Sequence, residues 1–250
     1  MKLPVAIKDA GAAFQFLTRV PMPGLDYEPD ALSRAATFFP LVGGLIGLAS
    51  ALLFMGLLPH LPGTVAALCA VLLTVLVTGG LHEDGLADAA DGFGGGWHRE
   101  QILEILKDSR IGSYGAIAVA FSILFRVALI AALPRAVAVP YIVAAHVLCR
   151  WTVLPLGFFL SSARKNESQG HRLARQISIR SLIAGSALAF AISGWLLRTS
   201  LIAPLIAVLA VTTLSGYYFR RRIGGVTGDC FGATIQLAEV AVYFAGAWRA

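Results

Sequence analysis

Four of the fourteen acidic residues of this 250-residue chain fall between positions 83 and 91, in the run Leu81-His82-Glu83-Asp84-Gly85-Leu86-Ala87-Asp88-Ala89-Ala90-Asp91. Written as an α-helix, Asp84, Asp88 and Asp91 stand at i, i+4 and i+7 and share an arc of ~60°. Like charges at that spacing repel, and a low-dielectric neighbour strengthens the repulsion. A cation among them removes the conflict. Hard divalent ions take carboxylate oxygens, and Mg²⁺ commonly completes its shell with water and substrate phosphate. A merely solvated acidic loop would account for the charge but not for the helical spacing. Glu83 points about 100° away from Asp84 and is the weaker ligand. His82 and the aspartates can also accept a proton, with Asp88 or Asp91 preferred. The glycines at 92, 94, 95 and 96 are expected to end the helix and to leave backbone amides open to a phosphate.

Two further clusters accompany this one. In Lys107-Asp108-Ser109-Arg110-Ile111-Gly112, Asp108 is a possible fourth metal ligand. Lys107 and Arg110 are able to hold phosphate oxygens through charge-assisted hydrogen bonds. In the last apolar stretch, Gln236 lies within about 20° of Asp229 and Glu239 about 80° from it, roughly 15 Å deeper along the helix. An ionised residue at that depth needs a partner. Arg150 falls at a similar depth in another stretch, so a Glu239–Arg150 pair is expected, with His146 and Arg126 further from the cytoplasmic side. Arg164, Lys165, His171, Arg172 and Arg175 make a basic loop, suited to anionic lipid or to substrate.

The elements that carry these residues follow from composition. The chain is 57% hydrophobic and 14% charged, with a mean hydropathy of +0.76; soluble domains carry about a quarter charged residues. That excludes a disordered chain and points away from a water-soluble enzyme. A bilayer crossing takes about 20 apolar residues. Seven stretches qualify: 35–58, 62–81, 115–133, 137–160, 180–197, 201–219 and 229–248. The fifth and sixth make a hairpin around Arg198 and Thr199. The expected fold is therefore an all-α polytopic integral membrane helix bundle of about seven transmembrane helices. It forms a single domain over 1–250. With the N-terminus cytoplasmic, the only basic residues on the outer face are Arg135, Arg198 and Arg249, which sets that orientation. Residues 1–34, 82–114 and 161–179 then face the cytoplasm. The stretch from Val5 to Arg19 reads as an interfacial amphipathic helix, and no cleavable signal peptide is expected. The net charge of +6 belongs to this topology signal, so no nucleic-acid partner is expected. Cys69, Cys149 and Cys230 have no disulfide or CxxC spacing.

The sequence resembles the cobalamin synthase family (adenosylcobinamide-GDP ribazoletransferase) along its whole length. The resemblance rests on Phe16-Leu17-Thr18-Arg19-Val20-Pro21, Phe39-Pro40-Leu41-Val42-Gly43, the acidic segment from Gly79 to Gly92, Lys107 to Gly112, and Thr227-Gly228-Asp229-Cys230-Phe231-Gly232-Ala233. Gln236 departs from the family's second Glu in the last motif. The resemblance implies a late step of vitamin B12 assembly in the prokaryotic cytoplasmic (inner) membrane, with Mg²⁺ as cofactor. Adenosylcobinamide-GDP would react with α-ribazole or its 5′-phosphate, GMP would leave, and adenosylcobalamin or its 5′-phosphate would form. Under it, Asp84, Asp88, Asp91 and Asp108 are assigned to Mg²⁺. Lys107 and Arg110 go to phosphate, with Asp229, Glu239 and Arg150 lining the site. A homo-oligomer, or an assembly with other membrane-bound corrinoid enzymes, is compatible with it. The segment Asp88-Ala89-Ala90-Asp91-Gly92 also resembles the opening of the CDP-alcohol phosphotransferase motif, an analogy of chemistry. Two rivals remain on sequence grounds. An aspartate-rich intramembrane prenyltransferase would need a second aspartate motif in the other half, where only Asp229 stands. A proton- or ion-coupled transporter built on Glu239, Arg150 and His146 would leave Asp84, Asp88 and Asp91 without a purpose.

Overall fold

The computed structural model describes residues 4–22, 31–164 and 177–248. Among them the chain is helical, and the one β-type pairing is a parallel bridge between Ser162 and Val226. Helix α1 (Val5–Leu17) is followed by a short α2 (Ala31–Ala35), which runs through a 3-10 turn into α3 (Phe39–Leu57). Then come α4 (Gly63–Thr78), α5 (Leu81–Gly95), α6 (Arg99–Ile105), α7 (Ser113–Ala132), α8 (Arg135–Trp151) and α9 (Val153–Phe159). The chain closes with α10 (Ile179–Leu197), α11 (Ile202–Ile223) and α12 (Gly228–Ala247).

Among the described residues, five stretches are long and apolar enough to cross a membrane: Leu32–Leu57, Ser113–Ala132, Arg135–Phe159, Ile179–Ile223 and Gly228–Ala247. The pair α4 and α5, bent by 89°, adds a sixth. The fourth stretch has 45 residues, which as a straight rod would reach about 67 Å, roughly twice a bilayer core. It folds back instead. Arg198 adopts a left-handed φ of 49°, and Leu182 near the start of α10 lines the same groove as Tyr217 near the end of α11. The stretch thus contains the expected hairpin at Arg198.

Burial divides the helices into two kinds. The α8–α9 stretch is 83% buried and forms the centre of the bundle, whereas the α10–α11 hairpin is only 17% buried and turns its apolar faces outward, as a lipid-facing element does. Gly43 and Gly47 on α3 lie directly against His146 of α8, leaving no room for a Cβ. This spacing of small residues lets membrane helices approach closely. Helix α1 is docked rather than free on a surface. Its Ala12, Ala13 and Leu17 are buried, and Asp9 accepts a 3.2 Å hydrogen bond from Arg34.

The turn that aims α5 is made by two consecutive left-handed glycines, Gly79 (φ 67°) and Gly80 (φ 73°). Their amides close α4 on the carbonyls of Leu76 and Val75. A side chain at either position would cost about 1–2 kcal/mol in that backbone conformation. Helix α5 then does not stop after Asp91 as the glycine run suggested; it continues to Gly95. Its glycines are sites of close packing. A Cβ at Gly92 would meet Leu106, and one at Gly94 would meet the ring of Tyr114. The amides expected to be open to phosphate are thus spent on helix.

Candidate active site

Adjacent residues of a helix point about 100° apart, and the start of α5 divides its charges accordingly. Glu83 is buried and Asp84 exposed. Glu83 Oε1 accepts from Arg126 Nη2 at 2.9 Å and from Gln236 Nε2 at 3.0 Å, while Ser122 Oγ donates to Gln236 Oε1 at 2.8 Å. One carboxylate therefore ties α5 to both α7 and α12 from inside. Gln236, where a family Glu was expected, serves as the neutral link of that tie.

Helices α5 and α12 cross where Gly85 meets Gly232, so closely that a Cβ on Gly85 would lie 3.1 Å from the Gly232 Cα. The crossing brings Asp229, at the start of α12, to the carboxylate face of α5. Asp84 and Asp229 line one cavity. Asp88, half-buried, has its carboxyl pushed up to about 6, first by burial and then by the charges of Asp229, Asp84 and Asp91, with Arg164 opposing. The repulsion anticipated from the helical spacing is therefore present, and Asp229 adds to it from a second helix.

Asp91 is engaged differently. Its Oδ2 accepts from the Gly112 amide at 2.7 Å and its Oδ1 from the Gly115 amide at 2.9 Å. It acts as a cap, supplied from α5, for the start of α7. Asp229 Oδ2 accepts from Thr227 Oγ1 at 3.1 Å and from Arg164 Nη2 at 3.4 Å, and the same Arg164 nitrogen donates to the Leu106 carbonyl at 3.0 Å. Arg164, which sequence reasoning left in a general basic loop, is, among the described residues, a cation in contact with the acidic cluster. Lys165, His171, Arg172 and Arg175 lie outside the described residues.

The Lys107–Arg110 segment follows directly on Leu106, whose carbonyl accepts from Arg164. Asp108 and Arg110 bind each other, with Arg110 Nη2 donating at 2.6 Å and Nε at 3.0 Å. That hydrogen bond holds the exposed Asp108 carboxyl down to about 2. Lys107 is exposed at the end of α6. His82 is buried and lines the cavity shared by Asp84 and Asp229; its Nε2 has no partner among the described residues.

Glu239 requires a correction. It faces Arg126 Nη1 and His146 Nε2, each at 3.8 Å, and not Arg150. Arg150 Nη1 donates to His146 Nδ1 at 2.9 Å and lies 3.4 Å from Cys149 Sγ. Arg150 and His146 are four residues apart on α8 and share a face, so the ring comes between Arg150 and the Glu239 carboxylate. Counting depth along separate helices ignored both tilt and side-chain direction. Among the described residues, His146, Cys149 and Glu239 are the one group of three ligand atoms lying within 4.8 Å of each other. Two guanidinium groups already surround it, which disfavours a metal ion there.

The aspartates of α5 and α12 fit a hard divalent cation better. They offer only oxygen, their charge exceeds what Arg164 offsets, and Mg²⁺ needs just one or two carboxylates beside water and phosphate. Fold and site together define a polytopic α-helical membrane protein with an acidic centre between α5 and α12.

Comparison with known proteins narrows this class. Residues 9–247 match the cobalamin-5-phosphate synthase family, and the chain belongs to that family. It is 39% identical over 237 residues to the adenosylcobinamide-GDP ribazoletransferase of Shewanella baltica, covering 93% of this chain and 90% of that protein. The enzyme of the same name from Shewanella frigidimarina is 40% identical over 237 residues, covering 92% and 90%. That from Shewanella piezotolerans is 39% identical over 242 residues, covering 92% and 91%. No solved structure gives a significant match.

Proposed function

We propose that this chain transfers the adenosylcobinamide phosphoryl group from adenosylcobinamide-GDP to α-ribazole or its 5′-phosphate. A ribose hydroxyl attacks the phosphorus on the corrinoid arm, the bond to the GMP oxygen breaks, and GMP leaves. The product is adenosylcobalamin or its 5′-phosphate. The observation that carries the reading is the convergence of Asp84, Asp88 and Asp229 from two helices, in a chain whose relatives bear this enzyme's name.

Each residue has a task in this scheme. Asp84 and Asp229 would hold Mg²⁺, which when bound neutralises charge on the diphosphate. Asp88, on the same face of α5 as Asp84, is the base that takes the hydroxyl proton. His82 is the second group able to take it. Asp91 keeps the start of α7 against α5, and Asp108 and Arg110 stand outside the metal set. Lys107, at the exposed end of α6, remains a group for the outer part of the diphosphate. The buried series of Arg150, His146, Glu239, Arg126 and Glu83 holds α5 at its depth. The basic-residue bias supports a site on the cytoplasmic face, in the prokaryotic inner membrane that the family resemblance implies, with the lipid bilayer as the enclosing partner.

The test is GMP release from adenosylcobinamide-GDP and α-ribazole by detergent-purified, folded protein. Release that requires Mg²⁺ and falls with Asp84→Ala supports the reading. Folded protein that yields no metal-dependent GMP rejects it.

A further inference from the structure

A second cavity, of about 710 Å³, lies on the far side of Asp84. Phe16, Leu81 and Asp84 line both cavities, so Asp84 stands in the wall between them. The larger one is bounded by the end of α1, the glycine turn between α4 and α5, and the start of α7. Among the described residues Arg19 is its one cation. The residue is exposed, and its backbone is held while its side chain rests on the glycine turn. Its amide donates to the Val77 carbonyl at 2.7 Å, and its side chain lies across Gly79, where a Cβ would collide with Nε. The guanidinium makes no ion pair or side-chain hydrogen bond with any described residue. Beside it, α5 begins at Gly80 with no side-chain cap, so the amides of its first turn are without their usual partners and favour an anion. Of the two acidic residues in the wall, Glu83 is already neutralised by Arg126 at 2.9 Å. Phe16, Leu81, Ile111 and Val119 supply an apolar side of the lining, and Gln15, Thr18 and Thr78 add polar groups.

We propose that this cavity binds a mononucleotide, with its phosphate under Arg19 and the uncapped turn of α5, and its base against the apolar wall. The volume lies within the range of about 300–1,000 Å³ typical of small-molecule sites. Resting on the transferase reading, the inference places the phosphate next to Asp84. Two molecules carry this chemistry, the acceptor as α-ribazole 5′-phosphate and the donor through its guanylate.

Titration calorimetry on the full-length protein in detergent tests it with two matched pairs: GMP against guanosine, and α-ribazole 5′-phosphate against α-ribazole. In the unmodified protein, at least one nucleotide should bind about tenfold or more tightly than its nucleoside, the worth of a charge-assisted hydrogen bond. Arg19→Gln should reduce that preference to under about threefold, with Arg19→Lys keeping part of it. The pair in which the preference collapses identifies the source. Ile111→Trp, which fills the cavity without changing charge, should weaken binding of the same nucleotide. The proposal is overturned if the unmodified protein shows no preference in either pair, or if folded Arg19→Gln keeps it. It is equally overturned if Ile111→Trp binds the nucleotide unchanged. Metal-dependent GMP release by the unmodified protein is scored separately, so failure here leaves the transferase reading standing.

Discussion

At the scale of single residues, Asp88 sets function against stability. Its carboxyl is raised to about 6 in the folded chain, above the usual carboxylate value near 3.9. Folding is therefore opposed by its ionisation, and the penalty grows as pH rises from about 4 through 6. In chelator at pH 7.5, Asp88→Asn should melt a few degrees higher than the unmodified protein, a gain of about 1 kcal/mol once solvent screening of a partly exposed group is allowed for. The gain should shrink toward pH 4, and its persistence there would contradict the assignment. The same variant should lose turnover by at least about a hundredfold. Asp84→Ala should lose it equally with no fall in melting temperature, because Asp84 is exposed and holds no structural hydrogen bond among the described residues. Activity near normal in either variant, measured as GMP release, would remove these aspartates from the chemistry.

Among the elements, α5 is the one whose placement decides the site, and it is held at both ends. Asp91 takes the Gly112 and Gly115 amides of α7. Asp91→Ala should cost about 1–2 kcal/mol, as the loss of a helix cap does, visible as a lower melting temperature. At the inner end, Arg126 serves Glu83 and Glu239 together. Arg126→Met leaves two buried carboxylates without their cation and should cost about 3–5 kcal/mol. Combining it with Glu83→Gln should recover part of that loss; if the double variant melts no higher than Arg126→Met, the pair is not the anchor. The Gly79–Gly80 turn supplies the angle between α4 and α5, and only glycine tolerates both its left-handed backbone and the Arg19 side chain lying on it.

Across the whole molecule, the orientation in the bilayer is the property still open to direct measurement. If the site faces the cytoplasm, a cysteine at exposed Ser109 should react with an impermeant thiol reagent only in inside-out vesicles. One at Thr199, in the α10–α11 turn, should react only in right-side-out vesicles. Cys149 and Cys230 are buried, so the background comes from Cys69 and is removed by Cys69→Ala. The opposite labelling pattern would turn the site to the other compartment and refute the basic-residue argument.

Hydropathy made the helical membrane bundle legible, because a crossing needs a contiguous apolar run and the signal is local. The Arg198 hairpin and the shared face of Asp84, Asp88 and Asp91 were equally local, resting on a break in the run and on 3.6-residue periodicity. The family motifs around positions 16–21, 79–92 and 227–233 could be read in the same way. What the sequence could not reveal were relations between helices. Glu239 was matched with Arg150 by depth, but His146 comes between them. Asp91 was counted with its neighbours on α5, but the amides of α7 claim its oxygens. Asp108 and Arg110 were assigned separately to metal and phosphate, and the contact between them was not foreseen. Asp229, Arg164 and Arg19 reach the acidic face only through packing, at the glycine crossing of α5 with α12 and in the turn that bends α5 away from α4. Periodicity says which residues share a face; what that face meets is decided by crossing points and side-chain reach, which exist only once the bundle has closed.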